Sequence, residues 1–425
     1  MNKETFAYII RDFHERSLPE IKPRSIELPT ESNKIISLVG IRRSGKTYLL
    51  FYTIEKLLSQ GIDKENIIYI NMEDDRLFPL YVKDMDLLLT SYYELYPEKI
   101  NEKKYIFFDE IQNVDNWEKY IRRIYDTENV RIFITGSSSK MVSQEISSSL
   151  RGRSISYEVF PLSFSEFLQF KHIEVRYASI KSEAHIAHEL NEYIHTGGFP
   201  EIVESDKTIR EKIWKEYVDL LLYKDLIEHY GIGNQFLLKT LMKYCLSHPG
   251  SLLSINKLYN DFRSRGIELS KNTLYEYLEA MENAFIVFKI PKYDKSLRKQ
   301  AQNPRKIYSI DTGLLNMFIP DPMVDIGKKI ENILYLHIRR KNYNVYYLKN
   351  KNEVDFFTET ETGMQLINVC HSIAETKTFE REVKGLEMGL KRFPKAQALL
   401  IVNKTSNVTI PKNIELIPLW KFLLN

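Results

Sequence analysis

A chain of 425 residues, 43% hydrophobic and 28% charged, has enough apolar content for real buried cores and a length that suits two or three domains. Its formal charge of +3 is too small to imply a partner. The two cysteines, Cys245 and Cys370, stand far apart without metal-type spacing, which argues against a disulfide framework and for a reducing, cytoplasmic setting. Charges scattered through the first apolar run do not fit a signal peptide, and no apolar stretch approaches the ~18 residues of a membrane span.

Glu4 to Ser17 has a helical pattern, and Leu18 to Pro29 reads as an extended lead-in. Ile35 to Val39 is a β-branched apolar run that predicts a buried strand. It enters Gly40-Ile-Arg-Arg-Ser-Gly45-Lys46-Thr47, a full match to G-x-x-x-x-G-K-[ST], and a helix is predicted from Thr47 to Gln60. Strand, glycine-bounded loop and helix are the context of a phosphate-binding loop, whose backbone N–H groups and helix N-terminus make a nest for anions. Gly40, Arg42, Arg43, Ser44, Gly45, Lys46, Thr47 and Tyr48 are the candidate nucleotide contacts. Lys46 is suited to the β- and γ-phosphates, and the Thr47 hydroxyl to Mg²⁺.

Asn66 to Ile70 predicts a second strand, followed by the acidic turn Glu73 to Asp75, read as a solvated turn or an aid near the phosphates. Asp84 to Tyr96 is helical. Lys103 to Asp109 predicts a third strand ending in Asp109-Glu110. A carboxylate closing an apolar strand beside such a loop suits Mg²⁺, so Asp109 joins Thr47 as a candidate metal ligand. Glu110 is suited to polarise an attacking water as general base; the plainer alternative is two acids starting a surface turn. A helix over Trp117 to Asp126 precedes a fourth strand, Val130 to Thr135. The strand ends in Thr135-Gly-Ser137-Ser138, where a polar side chain, with Ser137 the candidate contact, could orient water or the γ-phosphate, though turn chemistry explains Gly-Ser-Ser equally well. Arg151 and Arg153, in Leu150-Arg-Gly-Arg153, either neutralise transition-state charge, within the subunit or across subunits, or make a surface salt bridge. Strands alternating with helices predict a parallel sheet covered on both faces.

These motifs, with Pro161-Leu-Ser-Phe-Ser-Glu166-Phe and Gly197-Gly-Phe-Pro200-Glu201, resemble a prokaryotic AAA-type P-loop ATPase family over nearly the whole chain. Its members bind ATP and carry a C-terminal domain of restriction-endonuclease-like type. The resemblance implies that Lys46, Thr47, Asp109 and Glu110 take the roles given above. It implies no substrate.

Phe160 to Tyr230 is helical and fits a lid; His185-x-x-His188 within it reads as a solvated helix face. Between Gln235 and Leu315, a helix over Ile255 to Gly266, a short turn and a helix from Lys271 to Met281 capped by Ser270 make a helix-turn-helix signature. Ala284 to Lys292 and Lys306 to Ile310 read as wing strands around a basic loop. The segment 235–315 holds 13 Lys/Arg against 7 Asp/Glu, so the chain's basic excess is concentrated there. Lys271, Asn272, Thr273, Arg298 and Lys299 are the candidate contacts to duplex DNA. Against this, Glu276, Glu279 and Glu282 repel phosphate, and winged helices also serve as spacers or protein-contact modules. The last segment resembles the nuclease-like fold in which Glu, Asp and a Glu-x-Lys pair bind metal and activate water. Glu331 and Asp355 match two of those positions, while Asn368 and Cys370 occupy the other two, so cleavage is expected to be lost.

The expected architecture is α/β: a P-loop ATPase core over 1–158, a helical lid over 159–232, a winged helix over 233–318 and a degenerate nuclease-like α/β domain over 319–425. The expected enzyme is an Mg²⁺-dependent ATPase. GTP is disfavoured because Asn403-Lys404-Thr405-Ser406 lacks the Asp of a guanine reader. Beyond the nucleotide, the expected partners are double-stranded DNA, a protein or a second copy of the chain, and not a membrane. The alternatives are a nucleotide-gated protein-interaction switch with little hydrolysis and, third, an ATP-regulated nuclease, which Asn368 and Cys370 oppose.

Overall fold

Four short runs rich in apolar and β-branched residues and a fifth, more polar strand line up in parallel to build the first sheet. They are β1 (Ile35–Val39), β2 (Ile67–Asn71), β3 (Lys104–Asp109), β4 (Val130–Gly136) and β5 (Ser154–Glu158), in the order β2-β3-β4-β1-β5. The computed structural model describes residues 3–137, 150, 152–175, 180–319, 326–405 and 408–425. It divides the chain into two units, Met1–Val159 and Phe160–Asn425.

In the first unit every residue of β1 and β3 is buried, as a parallel sheet covered on both faces requires. Leu49, Leu50, Ile54 and Leu57 of helix Lys46–Ser59 pack on Ile36 and Leu38 of β1 and on Tyr69, Phe107 and Phe133 of the neighbouring strands. The extended lead-in adds Leu18, Ile21, Ile26 and Leu28 to the same cluster. Strand β5 has no counterpart among the predicted elements. Its Ser-Ile-Ser-Tyr-Glu sequence is only half-buried at the sheet edge, so it lacks the apolar run that marks its neighbours.

The second unit begins with helices Phe164–Phe170, Ile180–Thr196, Pro200–Glu204 and Lys207–Leu220. Helices Ile255–Ser264 and Lys271–Asn283 follow, together with an antiparallel sheet ordered β6-β8-β7. Its strands are β6 (Leu252–Leu253), β7 (Val287–Ile290) and β8 (Arg305–Ser309). The segment between β7 and β8, read from sequence as a basic loop, contains the short helix Leu297–Gln302. Helix Ile326–Arg340 then leads into a five-stranded mixed sheet ordered β13-β12-β11-β10-β9. Its strands are β9 (Val345–Lys349), β10 (Glu353–Thr360), β11 (Gly363–Ser372), β12 (Gln397–Lys404) and β13 (Glu415–Pro418). Helix Thr376–Arg392 packs against this sheet through Leu386.

One buried carboxylate ties distant parts of the second unit together. Asp311 accepts N–H bonds from Gly198 (2.7 Å), Gly313 (2.7 Å) and Leu314 (3.3 Å). Gly197 has φ +78, and a side chain there would overlap the Asp311 carboxylate. The Gly197-Gly198-Phe-Pro turn is therefore built around an acid more than a hundred residues away. Asp311→Ala strands three buried donors and is expected to cost about 3 kcal/mol or more in urea unfolding. Burial pushes the Asp311 carboxyl up to about 6, above the ~3.9 of an unfolded chain. The folded protein thus holds this proton more tightly, and the group's contribution to stability is full below pH ~4 and lost as the pH rises through about 6. The stability margin of the wild type over Asp311→Asn should shrink across that window.

Candidate functional site

The turn from β1 into helix Lys46–Ser59 depends on backbone that side chains would obstruct. A Cβ on Gly40 would overlap the Val159 carbonyl, and Gly45 caps the helix in the left-handed region at φ 97. Lys46, 4% exposed, donates to the loop carbonyls of Gly40 (3.1 Å) and Ile41 (3.2 Å). Its ammonium is also 3.9 Å from Glu110 Oε1. The Ser44 hydroxyl is buried with no hydrogen-bond partner among the described residues, the kind of orphan that a phosphate oxygen would satisfy. From the lead-in, the buried Arg24 guanidinium donates to the Ser44 carbonyl at 2.9 Å and so holds the loop from outside. Arg42 pairs with Glu73 at 3.2 Å, which brings the acidic turn after β2 to the loop. Arg43 takes a left-handed φ of 65. Tyr48 is exposed, its ring edge-on to Phe51.

Strand β4 lies between β1 and β3 and supplies the link between the two motifs. Asp109, at the end of β3, is 1% exposed, and its carboxylate accepts three hydroxyls. Thr47 (2.8 Å) and Tyr69 (2.9 Å) donate to Oδ2, and Thr135 of β4 (2.5 Å) to Oδ1. Burial raises the Asp109 carboxyl above its ordinary range, while the Thr135 hydroxyl pulls it down and the Glu110 charge pushes it up. Glu110 is held in the left-handed region at φ 53, and its N–H donates to the Thr135 hydroxyl at 2.8 Å. Its carboxylate takes a hydrogen bond from the Gln112 amide, which also lies 3.4 Å from the Ser137 hydroxyl. An adjacent hydroxyl and carboxylate, Thr47 and Asp109, are hard oxygen ligands suited to Mg²⁺. Thr135 opens the Thr135-Gly-Ser137-Ser138 motif, whereas no sequence motif marks Tyr69, Gln112 or Arg24.

Arg153 is not brought to this site, so a role there within its own subunit is corrected. Its carbonyl accepts from Ile35 N at 2.8 Å, at the start of β1, whereas the loop leaves the other end of that strand. Five residues of strand put about 15 Å between those two edges. The guanidinium is instead paired with Asp126 at 3.0 Å. Arg151, Ser138 and Ser139 lie outside the described residues.

Residues 32–168 match a family model described as an AAA domain, and residues 187–323 match a domain of unknown function, DUF8612. The uncharacterized protein MJ1544 of Methanocaldococcus jannaschii is 37% identical over 417 residues, covering 94% of this chain and 90% of that protein. The chain belongs to the MJ1544 family. An uncharacterized protein of Haemophilus influenzae is 31% identical over 351 residues, covering 81% of this chain and 84% of the relative. Among solved structures, the Walker-type ATPase paby2304 of Pyrococcus abyssi aligns at TM-score 0.41 and 14% identity over 75% of this chain and 95% of that one. The Orc1 protein of Aeropyrum pernix, in complex with DNA, aligns at TM-score 0.30 and 13% identity over 76% and 92%. The parallel sheet, the loop after β1 and the match to the AAA-domain model give the first unit of this MJ1544-family chain a P-loop NTPase fold of AAA type. No helix among the described residues is long and apolar enough to cross a membrane.

In the second unit, Lys271 and Asn272 are exposed at the start of helix Lys271–Asn283, whose N-cap Ser270 accepts from Thr273 N at 3.0 Å. Arg298 and Lys299 are exposed on helix Leu297–Gln302. Glu331 and Asp355 are brought together, but around Lys306 of β8, with Glu353 as a third acid; neither Lys306 nor Glu353 was picked out from the sequence. Asn368 is buried, its side-chain oxygen accepting from Asp355 N (3.0 Å) and its amide donating to Glu382 (2.8 Å). Cys370 belongs to the apolar cluster with Leu366 and Leu386, and burial pushes its thiol up to about 12. It is a core residue. His185 and His188 are exposed, and with Lys306 seated among the three acids no group of three metal-type ligands among the described residues is placed to hold a metal ion.

Thr135→Val keeps the shape of the β4 side chain but strips the hydroxyl from both Asp109 and Glu110 N–H. It should cost about 1–3 kcal/mol in urea unfolding, with Thr135→Ser close to the wild type. Equal stability of the Val variant would show that the hydroxyl does not hold the two acids.

Proposed function

We propose that this chain binds ATP on Gly40–Thr47 and hydrolyses it, and that the second unit carries the resulting movement to duplex DNA. The convergence at Asp109 carries the first half of the reading. Its carboxylate is 2.8 Å from the Thr47 hydroxyl, while the adjoining Glu110 stands 3.9 Å from Lys46. Phosphate-binding, metal-binding and basic groups thus meet at one loop. Loop N–H groups and Lys46 bind and neutralise the phosphates. Thr47 and Asp109 would hold Mg²⁺, which when bound offsets charge on the phosphate oxygens. Glu110 accepts the proton of the water whose oxygen attacks the γ-phosphorus, and the bond to the β–γ bridging oxygen breaks, releasing ADP. Gln112 holds the Glu110 carboxylate for that task. Glu110→Gln is expected to lower turnover about 100-fold or more with ATP affinity preserved, whereas Lys46→Ala loses binding. Unchanged turnover in Glu110→Gln would remove that residue from the mechanism.

The second half rests on the paired helices Ile255–Ser264 and Lys271–Asn283 with the β6-β8-β7 sheet, a winged-helix arrangement. The Lys271 ammonium lies 5.4 Å from the Tyr259 ring centroid, and the Arg263 guanidinium lies 5.7 Å from it, giving a cationic, aromatic-backed patch. Glu282 is neutralised by Lys289 at 2.7 Å. Glu276 and Glu279 remain exposed beside the exposed Tyr275, and this favours a second reading, a nucleotide-gated switch that recruits a protein. Duplex binding followed by fluorescence anisotropy over a salt series, with and without ATP, separates the two. Combining Lys271→Ala, Arg298→Ala and Lys299→Ala should weaken DNA binding about tenfold and flatten the salt dependence by about two to three phosphate contacts. Failure to bind duplex at any salt in either nucleotide state would favour the protein partner.

A further inference from the structure

The strongest concentration of buried charge in the molecule lies outside the ATPase site. Lys306, on β8 of the three-stranded sheet, is 2% exposed. Its ammonium meets Glu331 at 2.9 Å, Glu353 at 2.7 Å and Asp355 at 3.0 Å. Glu331 comes from helix Ile326–Arg340 and the other two acids from β10. An ammonium has three N–H donors; here it hydrogen-bonds Glu331 and Asp355 and makes an ion pair with Glu353. Two of the three remaining oxygens are also engaged, and Glu331 Oε1 takes a second donor. Asp355 Oδ2 accepts from Val369 N at 3.2 Å, and Glu353 Oε2 from Lys349 at 2.6 Å. Tyr308, two residues along β8, donates to Glu331 at 2.8 Å. Gly250 lies so close that a Cβ there would be 2.7 Å from Glu331 Oε2, so the turn before β6 can close over this acid only without a side chain.

We propose that Lys306 is a built-in cation that fills the carboxylate pocket, excludes divalent metal from it and locks the β6-β8-β7 module onto the five-stranded domain. The distances favour the ammonium. Oxygens at 2.7–3.0 Å from the centre stand at hydrogen-bond range, beyond the ~2.0–2.6 Å of Mg²⁺ or Ca²⁺ ligands. Burial alone would discharge Lys306, yet the charges of Glu331, Asp355 and Glu353 outweigh it and raise the ammonium well above its ordinary range. Two losses therefore silence the nuclease-like geometry: the acid and lysine positions of β11 are Asn368 and Cys370, and the surviving acids are committed to an internal ion pair. Removing one partner of such a buried cluster is costly because the others are left uncompensated, which makes it a strong tie between two modules. The inference does not depend on ATP hydrolysis.

The test is Mn²⁺ titration of the full chain, without nucleotide, followed by electron paramagnetic resonance of the free ion. The variants are Lys306→Ala, Lys306→Arg, Asp355→Asn and the double variant Lys306→Ala/Asp355→Asn. Lys306→Ala should bind one more Mn²⁺ per chain than the wild type, and the double variant should lose that gain. Lys306→Arg, which keeps the charge, should gain none. A folded Lys306→Ala with no added Mn²⁺ would overturn the proposal. Asp355→Asn alone gives a second decision that does not require Lys306→Ala to fold. The proposal expects its Mn²⁺ stoichiometry to equal that of the wild type, and a lost Mn²⁺, or Mn²⁺-dependent cleavage of plasmid DNA that this variant abolishes, would refute the plug.

Discussion

The Asp109 carboxylate is the point from which the ATPase unit is organised. A charge this deeply buried is tolerable only if its oxygens are satisfied, and three hydroxyls satisfy it: Thr47 from the loop helix, Tyr69 from β2 and Thr135 from β4. Each comes from a different element, so the acid fixes the ends of neighbouring strands and the first turn of helix Lys46–Ser59 in one geometry. Thr135 also holds the backbone of Glu110. The residue suited to bind metal and the residue suited to activate water are therefore set by the same hydroxyl.

The second unit uses the same device with different chemistry. Asp311 collects backbone donors from a loop and from the first turn of helix Thr312–Asn316, and Lys306 collects carboxylates from a helix and a strand. Both are single ionisable side chains, shielded from water, that join segments far apart in the chain. Such saturated groups contribute modestly on balance but cost several kcal/mol when one partner is removed. They make the join specific.

The first unit was legible where chemistry and order in the chain coincide. Gly40–Thr47 and the apolar strand closing in Asp109-Glu110 carry their context with them, and the elements around them fall within a few residues of expectation. What escaped depends on spatial order. The motif at the end of β4 places Thr135 near the phosphates, but nothing in one dimension says that β4 is inserted between β1 and β3, where its hydroxyl reaches Asp109 and the Glu110 backbone. Arg153 was misjudged for a related reason. It immediately precedes β5, and a strand parallel to β1 must begin at the edge away from the phosphate loop. Recognising Ser154–Glu158 as a strand would have carried that conclusion, but its polar, half-exposed residues give a weak signal. Lys306 was read as part of a wing strand because its partners lie 25 and 49 positions away.

The reach of those ties also bears on how the polypeptide matures on the ribosome. The contacts that shape the phosphate loop are complete by Val159, so the nucleotide unit has all its partners while the rest is still being translated. The segment after it does not. The Gly197-Gly198 turn waits for an acid 113 residues further on, and the Pro161 carbonyl waits for Arg340, 179 residues further on. The helical stretch between them must emerge with its polar groups unsatisfied and its apolar faces uncovered. Those two ties of the second unit can form only once Asp311 and Arg340 have been made, when the nucleotide unit upstream already has all its own partners.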